Sequence, residues 1–403
     1  MSKKVIIIGT GMAGLCLANL LLKQTDFEII LVGALDPTKN KNHARVCAFN
    51  KTSLSILKFI GFDNEFLNNN CSFYKDVYIW QNKSNSELNF NADDLGFINL
   101  GGVIANHKVE EKLWRQLQNN KKVKIYCPVN AKGWEYKKDL HHVILDDNTI
   151  IKGDLLFGAD GKNSWVRQQV GISTENSPYD QLAIVAKVCG TSSHSQTAWQ
   201  KFLPTGPLAF LPLNDANEVS IVWSATTPYA EKLMQLDDHE FEKTLTTNSD
   251  HKLGDLRLTT SRYAYKLEAQ HAKKYIKRGV AILGDAAHIA HPLAGQGVNA
   301  GLFDAAILVD EISKVVAEKN DLQLALVRYQ KLRRGHNSCL IFAMGQLNNF
   351  FANTNPIIST SRYVGLNMIN KSNIAKSFLA KHALGLNNNL PHDIKKSLDK
   401  RFY

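Results

Sequence analysis

Cysteine is scarce in this chain, and the little there is lies scattered. Cys16, Cys47, Cys71, Cys127, Cys189 and Cys339 form no C-x-x-C pair and no metal-ligand spacing. That excludes a disulfide scaffold and a metal module, and reads as the reduced thiols of a cytosolic protein. No G-x-S-x-G, H-E-x-x-H or paired-carboxylate motif occurs either, so no nucleophile, zinc site or acid–base pair stands out. Long apolar runs are also missing. The uncharged stretch from Val5 to Leu22 superficially resembles a signal peptide or a membrane span, yet Gly9, Thr10, Gly11, Gly14 and Asn19 interrupt it. Only Val5 to Ile8 is uniformly aliphatic, about the length of a buried strand. What remains is an ordinary composition, 44% hydrophobic and 21% charged, which excludes disorder. A chain of 403 residues exceeds one core and predicts two or three interleaved domains.

The opening V-I-I-I-G-T-G-M-A-G-L supplies the first positive signal. Val5 to Ile8 suit a central parallel strand, and Gly9-x-Gly11-x-x-Gly14 suits a dinucleotide-binding turn that includes Met12 and Ala13. Gly9 makes the tight turn, Gly11 lets the backbone approach a pyrophosphate, and Gly14 lets the helix lie close on the sheet. The helix from Gly11 to about Gln24 aims free N–H groups and its positive end at the phosphates. The second strand, Glu28 to Val32, ends at Gly33 where a ribose-binding acid is expected. Asp36 or backbone groups alone then hold the ribose.

A second unit follows much later, in V-A-I-L-G-D-A-A-H-I-A-H-P-L-A-G-Q-G-V-N-A-G. Val280 to Leu283 read as a buried strand ending at Gly284-Asp285. From about Gly297 the apolar spacing turns helical, through Val298, Leu302, Ala305 and Leu308. A nicotinamide-only domain has no use for this second unit, whereas a flavin dinucleotide does. Between the two lies a third strand, D-L-L-F-G-A-D-G, ending at Asp160-Gly161 with Ser164 and Arg167 beyond it.

Together these three motifs resemble the class A flavoprotein monooxygenases, the family of p-hydroxybenzoate hydroxylase. The resemblance implies FAD, with Asp285 on a ribityl hydroxyl and Asp160-Gly161 near the pyrophosphate. It also implies Arg45 on the FAD phosphates, although His43 stands where the family has an acid. The residues Pro292, Gly295, Gly297, Val298 and Asn299 then border the isoalloxazine ring, with Gln296 beside the chemistry. A helix starting near Gly295-Gln296-Gly297 can stabilise negative charge on the reduced ring. The implied activity is NAD(P)H- and O₂-dependent hydroxylation of an aromatic ring through a flavin C4a-hydroperoxide, with NAD(P)H visiting transiently. His288 and His291 lie on the same loop, and either can assist phenol deprotonation or merely order the loop. Pro292 matches a family proline whose carbonyl lies near the substrate hydroxyl.

Longer stretches point to one branch. A-W-Q-K-F-L-P-T-G-P-L-A-F-L-P-L from Ala198, P-L-A-G-Q-G-V-N from Pro292, L-N-N-F-F-A-N-T-N-P around Phe350, R-Y-V-G-L at Arg362 and A-K-H-A-L-G-L at Ala380 closely resemble the ubiquinone-biosynthesis hydroxylases. That resemblance implies a polyprenylated phenol substrate and, among partners, other quinone-biosynthesis proteins. Leu182 to Val188, Ala209 to Leu213 and Val219 to Trp223 read as strands of one sheet. Phe210, Leu211, Pro212 and Trp223 are its candidate pocket residues, or else sheet core.

The net charge is +11, and from Leu340 onward eight Lys/Arg face only two Asp/Glu. Such a block favours anionic partners, and the substrate class makes that a lipid surface rather than nucleic acid. Leu340 to Phe351 is apolar, and Ile374, Phe378 and Leu379 alternate with Lys376 and Lys381. Peripheral membrane contact on the cytoplasmic face and packing on the core are both open readings.

The expected architecture is α/β: a glutathione-reductase-like, Rossmann-type FAD-binding domain, an inserted mixed or antiparallel β-sheet substrate domain, and a C-terminal helical segment. The expected boundaries are 1–72, 102–178 and 272–339 for the FAD domain, 73–101 and 179–271 for the sheet, and 340–403 for the tail. No metal is expected. The rival functions are hydroxylation of a soluble aromatic acid and a flavin-bound, non-catalytic assembly subunit at the membrane.

Overall fold

The computed structural model describes residues 2–39, 45–81, 87–353, 372–386 and 390–397, with isolated positions between 353 and 372. The His43 position and most of the R-Y-V-G-L stretch at Arg362 lie outside the described residues.

A six-stranded sheet forms the first layer, in the order Ile276–Lys277, Val280–Ile282, Leu155–Gly158, Lys4–Ile8, Glu28–Val32, Val123–Tyr126. Its pairings are parallel except at the two-residue edge strand Ile276–Lys277. The central strand is aliphatic because both of its faces are covered, and Val5, Ile6 and Ile7 are fully buried. The helices Met12–Gln24 and Gln296–Ala317 pack on each other, and the first also packs on this sheet, within one apolar core. Small residues allow that approach: a Cβ on Gly301 would lie 3.4 Å from the Gly284 Cα and 3.6 Å from the Ala13 Cβ.

The second large sheet is antiparallel apart from one parallel pairing. Its path runs His288–Ile289, Tyr263–Ala272, Thr174–Gly190, Glu218–Thr226, Gly206–Pro212, Thr197–Leu203, Asp76–Gln81, Glu87–Asn91. The three strands expected from Leu182, Ala209 and Val219 are neighbours in it. One face carries Ile184, Leu208, Phe210, Ile221 and Trp223, buried beneath the helices Thr227–Gln235 and Asp238–Asn248. The alternate residues, including Leu211 and Phe202, face the other way and join separate apolar clusters.

The edge strand His288–Ile289 pairs with Gln270 and His271. The loop that follows Gly284-Asp285 therefore belongs to both layers. A 31-residue helix, Leu322–Ala352, also spans them. Near its start the Tyr329 hydroxyl donates to Ile282 O at 2.9 Å, and near its end Phe351 stacks on Phe202 with ring centroids 3.7 Å apart.

Candidate active site

The first glycine turn is closed on one side and open on the other. Gly9 has φ +119°, and a Cβ there would lie 2.2 Å from Ala159 O. A Cβ on Gly14 would lie 2.2 Å from Gly9 O. Gly11 is different, with no atom within 4 Å of its Cβ direction. It caps the Met12–Gln24 helix without any side-chain hydrogen bond. The helix Gln296–Ala317 starts the same way, at Gly295 with φ +62° and no side-chain cap. By contrast, Asn50, Asp63, Asp237 and Asp321 cap their helices through side-chain oxygens. Two uncapped N-termini leave N–H groups for an anionic or polar ligand to satisfy.

Three loops converge here. Ala159, next to Asp160, touches Gly9, while Ala13 touches Gly284. Arg167 ties the Asp160 loop to the Asp285 loop by donating to Lys162 O and Ala286 O, both at 2.8 Å. Gly161 and Gly297, like Gly11, have nothing within 4 Å of a built Cβ. Asp160 accepts from Val166 N at 3.0 Å through one oxygen, and its other oxygen is buried without a partner. Burial raises the Asp160 carboxyl above its ordinary value, against hydrogen bonds from Ser164 and Val166. The Asp285 carboxyl is also raised, chiefly by burial, with His288 and Arg45 pulling it down. Asp285 is nonetheless solvent-accessible, which places it in a cleft, accessible but surrounded. Arg45 is exposed at the same cleft, with its guanidinium 5.1 Å from the Tyr265 ring centroid. An open face at three glycines, an orphaned carboxylate oxygen and two uncapped helices fit a flavin dinucleotide.

The ribose side departs from the expected pattern for a steric reason. A side chain at Gly33 would run into Thr10, whose Cγ2 would be 2.2 Å from the new Cβ. Asp36 accepts from Thr38 N and Thr38 Oγ1, at 2.9 and 2.7 Å.

Asn299 organises the loop at the start of the helix Gln296–Ala317. Its amide donates to Ala48 O and Gly295 O and accepts from Asn50 N at 3.0 Å. Gly295 lies against Ala48, whose Cβ would be 3.1 Å from a Cβ added there. Gln296 donates to Ala383 O at 3.4 Å, and Thr52 donates to Leu384 O at 2.9 Å. The segment around Leu384 is thus packed against the starts of the helices Gln296–Ala317 and Lys51–Phe59. Pro292 is half-buried, and its carbonyl accepts from Gly295 N. Val298 is half-buried against the main core.

The two histidines separate. His288 is buried, and its Nε2 donates to Asp304 at 2.5 Å. Asp304 also takes Arg333 Nε at 2.7 Å, Asn337 Nδ2 at 3.1 Å and Gly284 N at 3.0 Å. Asn337 reaches the Tyr275 hydroxyl, which His271 also meets. The His288 Nε2 is thus committed to a buried ionic network. His291 is fully buried, with Nε2 2.9 Å from Gln181 Oε1 and Nδ1 without a partner. Burial pushes its imidazole down to about 4, so it is neutral near pH 7.

Sequence reasoning missed Asp304, Arg333, Gln181 and Asn348. An acid at position 304 within an apolar helical repeat is a signal, since a buried carboxylate requires a partner. For Gln181 no local signal exists. The four candidate pocket residues also divide: Phe210 and Trp223 are core beneath the helices Thr227–Gln235 and Asp238–Asn248. Leu211 points to the opposite face, in a cluster with Ala48 and Tyr74. Pro212 is buried at the strand end, on the same side as Phe210 by the alternation of the strand. A one-residue alternation decides this, and apolar strands do not announce it.

The FAD binding domain family matches residues 2–339. A 3-demethoxyubiquinol 3-hydroxylase from Escherichia coli (strain K12) is 30% identical over 389 residues, covering 95% of this chain and 98% of its own. The ubiquinone biosynthesis monooxygenase COQ6, mitochondrial, of Mus musculus is 29% identical, covering 91% of this chain and 87% of its own. Among solved structures, p-nitrophenol 4-monooxygenase PnpA from Pseudomonas putida DLL-E4 superposes with TM-score 0.80 at 14% identity. That match covers 97% of this chain and 99% of that one.

Proposed function

This chain belongs to the FAD binding domain family, among the ubiquinone-biosynthesis hydroxylases, and we propose that it hydroxylates the aromatic ring of a polyprenylated phenol in ubiquinone biosynthesis. FAD would supply the redox chemistry when bound, with NAD(P)H as reductant, one oxygen atom of O₂ going to an electron-rich ring and the other to water. The protein's share is binding, orientation and exclusion of water. Gly9, Gly11, Met12, Ala13, Gly14 and the free N–H groups of the first helix would hold the pyrophosphate, with Arg45 and Asp160-Gly161 beside it. Asp285 would accept from the ribityl chain. Pro292, Gly295, Gly297, Val298 and Asn299 would border the ring system, with Gln296 at its edge. His291, neutral and buried, would accept a hydrogen bond from the substrate hydroxyl and so enrich the ring. The division into a discontinuous FAD domain, a sheet domain and a tail belongs to this reading.

The observation that carries the proposal is that one loop belongs to both layers. Residues 284–297 carry Asp285 and the uncapped start of a helix, and within them His288–Ile289 is an edge strand of the antiparallel sheet. Leu293 of that loop packs with Phe202 and Phe351, which supports an apolar path for a prenyl chain. Phe342, Leu347 and Phe350 on the long helix are exposed. Ile374, Phe378 and Leu379 are exposed beside Lys376 and Lys381 on the helix Asn373–Ala383. No helix among the described residues is long and apolar enough to cross a membrane. Peripheral contact with an anionic bilayer, and a complex with other quinone-biosynthesis proteins, complete the reading.

The test is to purify the protein, measure its flavin, and identify by mass spectrometry the quinone intermediate that accumulates when the gene is removed. Accumulation of an unhydroxylated polyprenyl phenol is expected. A colourless protein unable to take up FAD, or an unchanged quinone profile, would overturn the proposal.

A further inference from the structure

His291 is buried, and its surroundings treat its two nitrogens differently. Nε2 meets Gln181 Oε1 at 2.9 Å, while Nδ1 is buried with no hydrogen-bond partner. Gln181 is itself 4% exposed. Its Nε2 faces Asn348 Oδ1 on the long helix at 3.5 Å. Gly206 confines it further, since a Cβ there would come within 2.9 Å of the Gln181 amide nitrogen. The Tyr179 ring stands edge-on to the imidazole, with centroids 4.8 Å apart. A buried imidazole with one partnered and one empty nitrogen is costly unless a ligand completes it.

We propose that Gln181, held by Asn348, is a positioning residue that fixes His291 with its proton on Nε2 and so leaves Nδ1 as the acceptor for the phenol hydroxyl. This rests on the reading of His291 as the residue that meets the phenol. A neutral imidazole donates at one nitrogen and accepts at the other, so the partner of Nε2 decides what Nδ1 can do. An amide oxygen only accepts, which forces the donor onto Nε2. With that proton placed, Nδ1 can draw the phenol O–H toward itself and increase electron density on the ring. Were the amide reversed, Nδ1 would carry the proton and repel the O–H. The link to Asn348 makes the chain Asn348–Gln181–His291 a connection from the apolar end of the long helix to the loop beside the flavin.

The test uses the FAD-loaded enzyme with ¹⁵N-labelled histidine and a diprenyl phenol as substrate probe. Subtracting the spectrum of His291→Asn identifies the His291 signals among the 13 histidines. The expected result is a protonated, pyrrole-type Nε2 and a pyridine-type Nδ1. Gln181→Met should mix the two tautomers and lower kcat about tenfold, with KM changed much less, a partial loss of the roughly 10²–10⁴-fold that general acid–base catalysis contributes because some molecules keep the proton on Nε2. If Gln181→Met fails to hold FAD, Asn348→Leu provides the second variant and should shift the tautomer in the same direction. A proton on Nδ1 in the wild-type enzyme would overturn the proposal, as would a wild-type kcat in Gln181→Met. If His291→Asn also turns over normally, the assignment of His291 to the phenol falls. If His291→Asn is impaired while Gln181→Met is not, only the positioning role falls.

Discussion

Asp304 and His288 meet at 2.5 Å with both side chains closed to solvent, and the pair ties three elements together. Asp304 sits on the helix Gln296–Ala317, His288 on the loop before it, and Arg333 on the long helix. Removing one member leaves an uncompensated buried charge, so Asp304→Ala or Arg333→Met should cost about 3–5 kcal/mol. The double replacement by apolar residues should cost less than either single one. Urea unfolding of the four proteins measures this, and additive losses would contradict it.

The same network sets an acid limit. Burial by itself would raise the Asp304 carboxyl, but His288 and Arg333 outweigh it and hold it well below the ordinary range. A folded-state value below the unfolded one means stability that is present above the ordinary carboxylate pKa of about 4 and lost as pH falls through the lower, folded-state value. Unfolding curves from pH 7 to pH 3 should therefore show stability declining at the acid end, and Asp304→Asn should flatten that limb.

Asp285 has the opposite sign. Burial raises its carboxyl, so the ionised form is disfavoured in the folded chain at neutral pH and its contribution improves only on acidification. Asp285→Asn should leave the melting temperature of the FAD-free protein equal or higher at pH 7, while flavin retained through gel filtration falls. A parallel loss of both would show that Asp285 supports the fold rather than the cofactor.

Gly11 and Gly14 should respond differently to a methyl group. Gly14→Ala drives a Cβ into Gly9 O and should destabilise by roughly 1–3 kcal/mol, as overpacking does. Gly11→Ala meets nothing within 4 Å and should fold normally. The larger Gly11→Val should then obstruct the dinucleotide, giving a folded, colourless protein. Thermal melts with flavin absorbance separate the two effects.

The exposed helix Asn373–Ala383 offers a surface test. Replacing Ile374 and Phe378, which are 86% and 60% exposed, by Asp should reduce co-sedimentation with phosphatidylglycerol vesicles. Turnover of a water-soluble prenyl phenol analogue should persist, since neither side chain lies at the FAD cleft. Unaltered vesicle binding would argue against this face.

Local pattern determined a good deal of this protein. An aliphatic run, a glycine turn and an apolar helix are all written within about twenty residues, and each of the three strand–loop units emerged where its sequence placed it. Gly9 and Gly14 could be read directly, because a Cβ at either would press on nearby backbone. The tertiary structure alone decided which side chains these loops would face. His288 and His291 are three positions apart, yet one is bound to an aspartate 16 residues away and the other to a glutamine 110 residues away. Phe210 and Leu211 are adjacent and point to opposite faces of one sheet. Turn and helix formation depend on neighbours along the chain, whereas partners of buried polar groups and the facing of apolar strands depend on contacts that exist only once distant segments have packed.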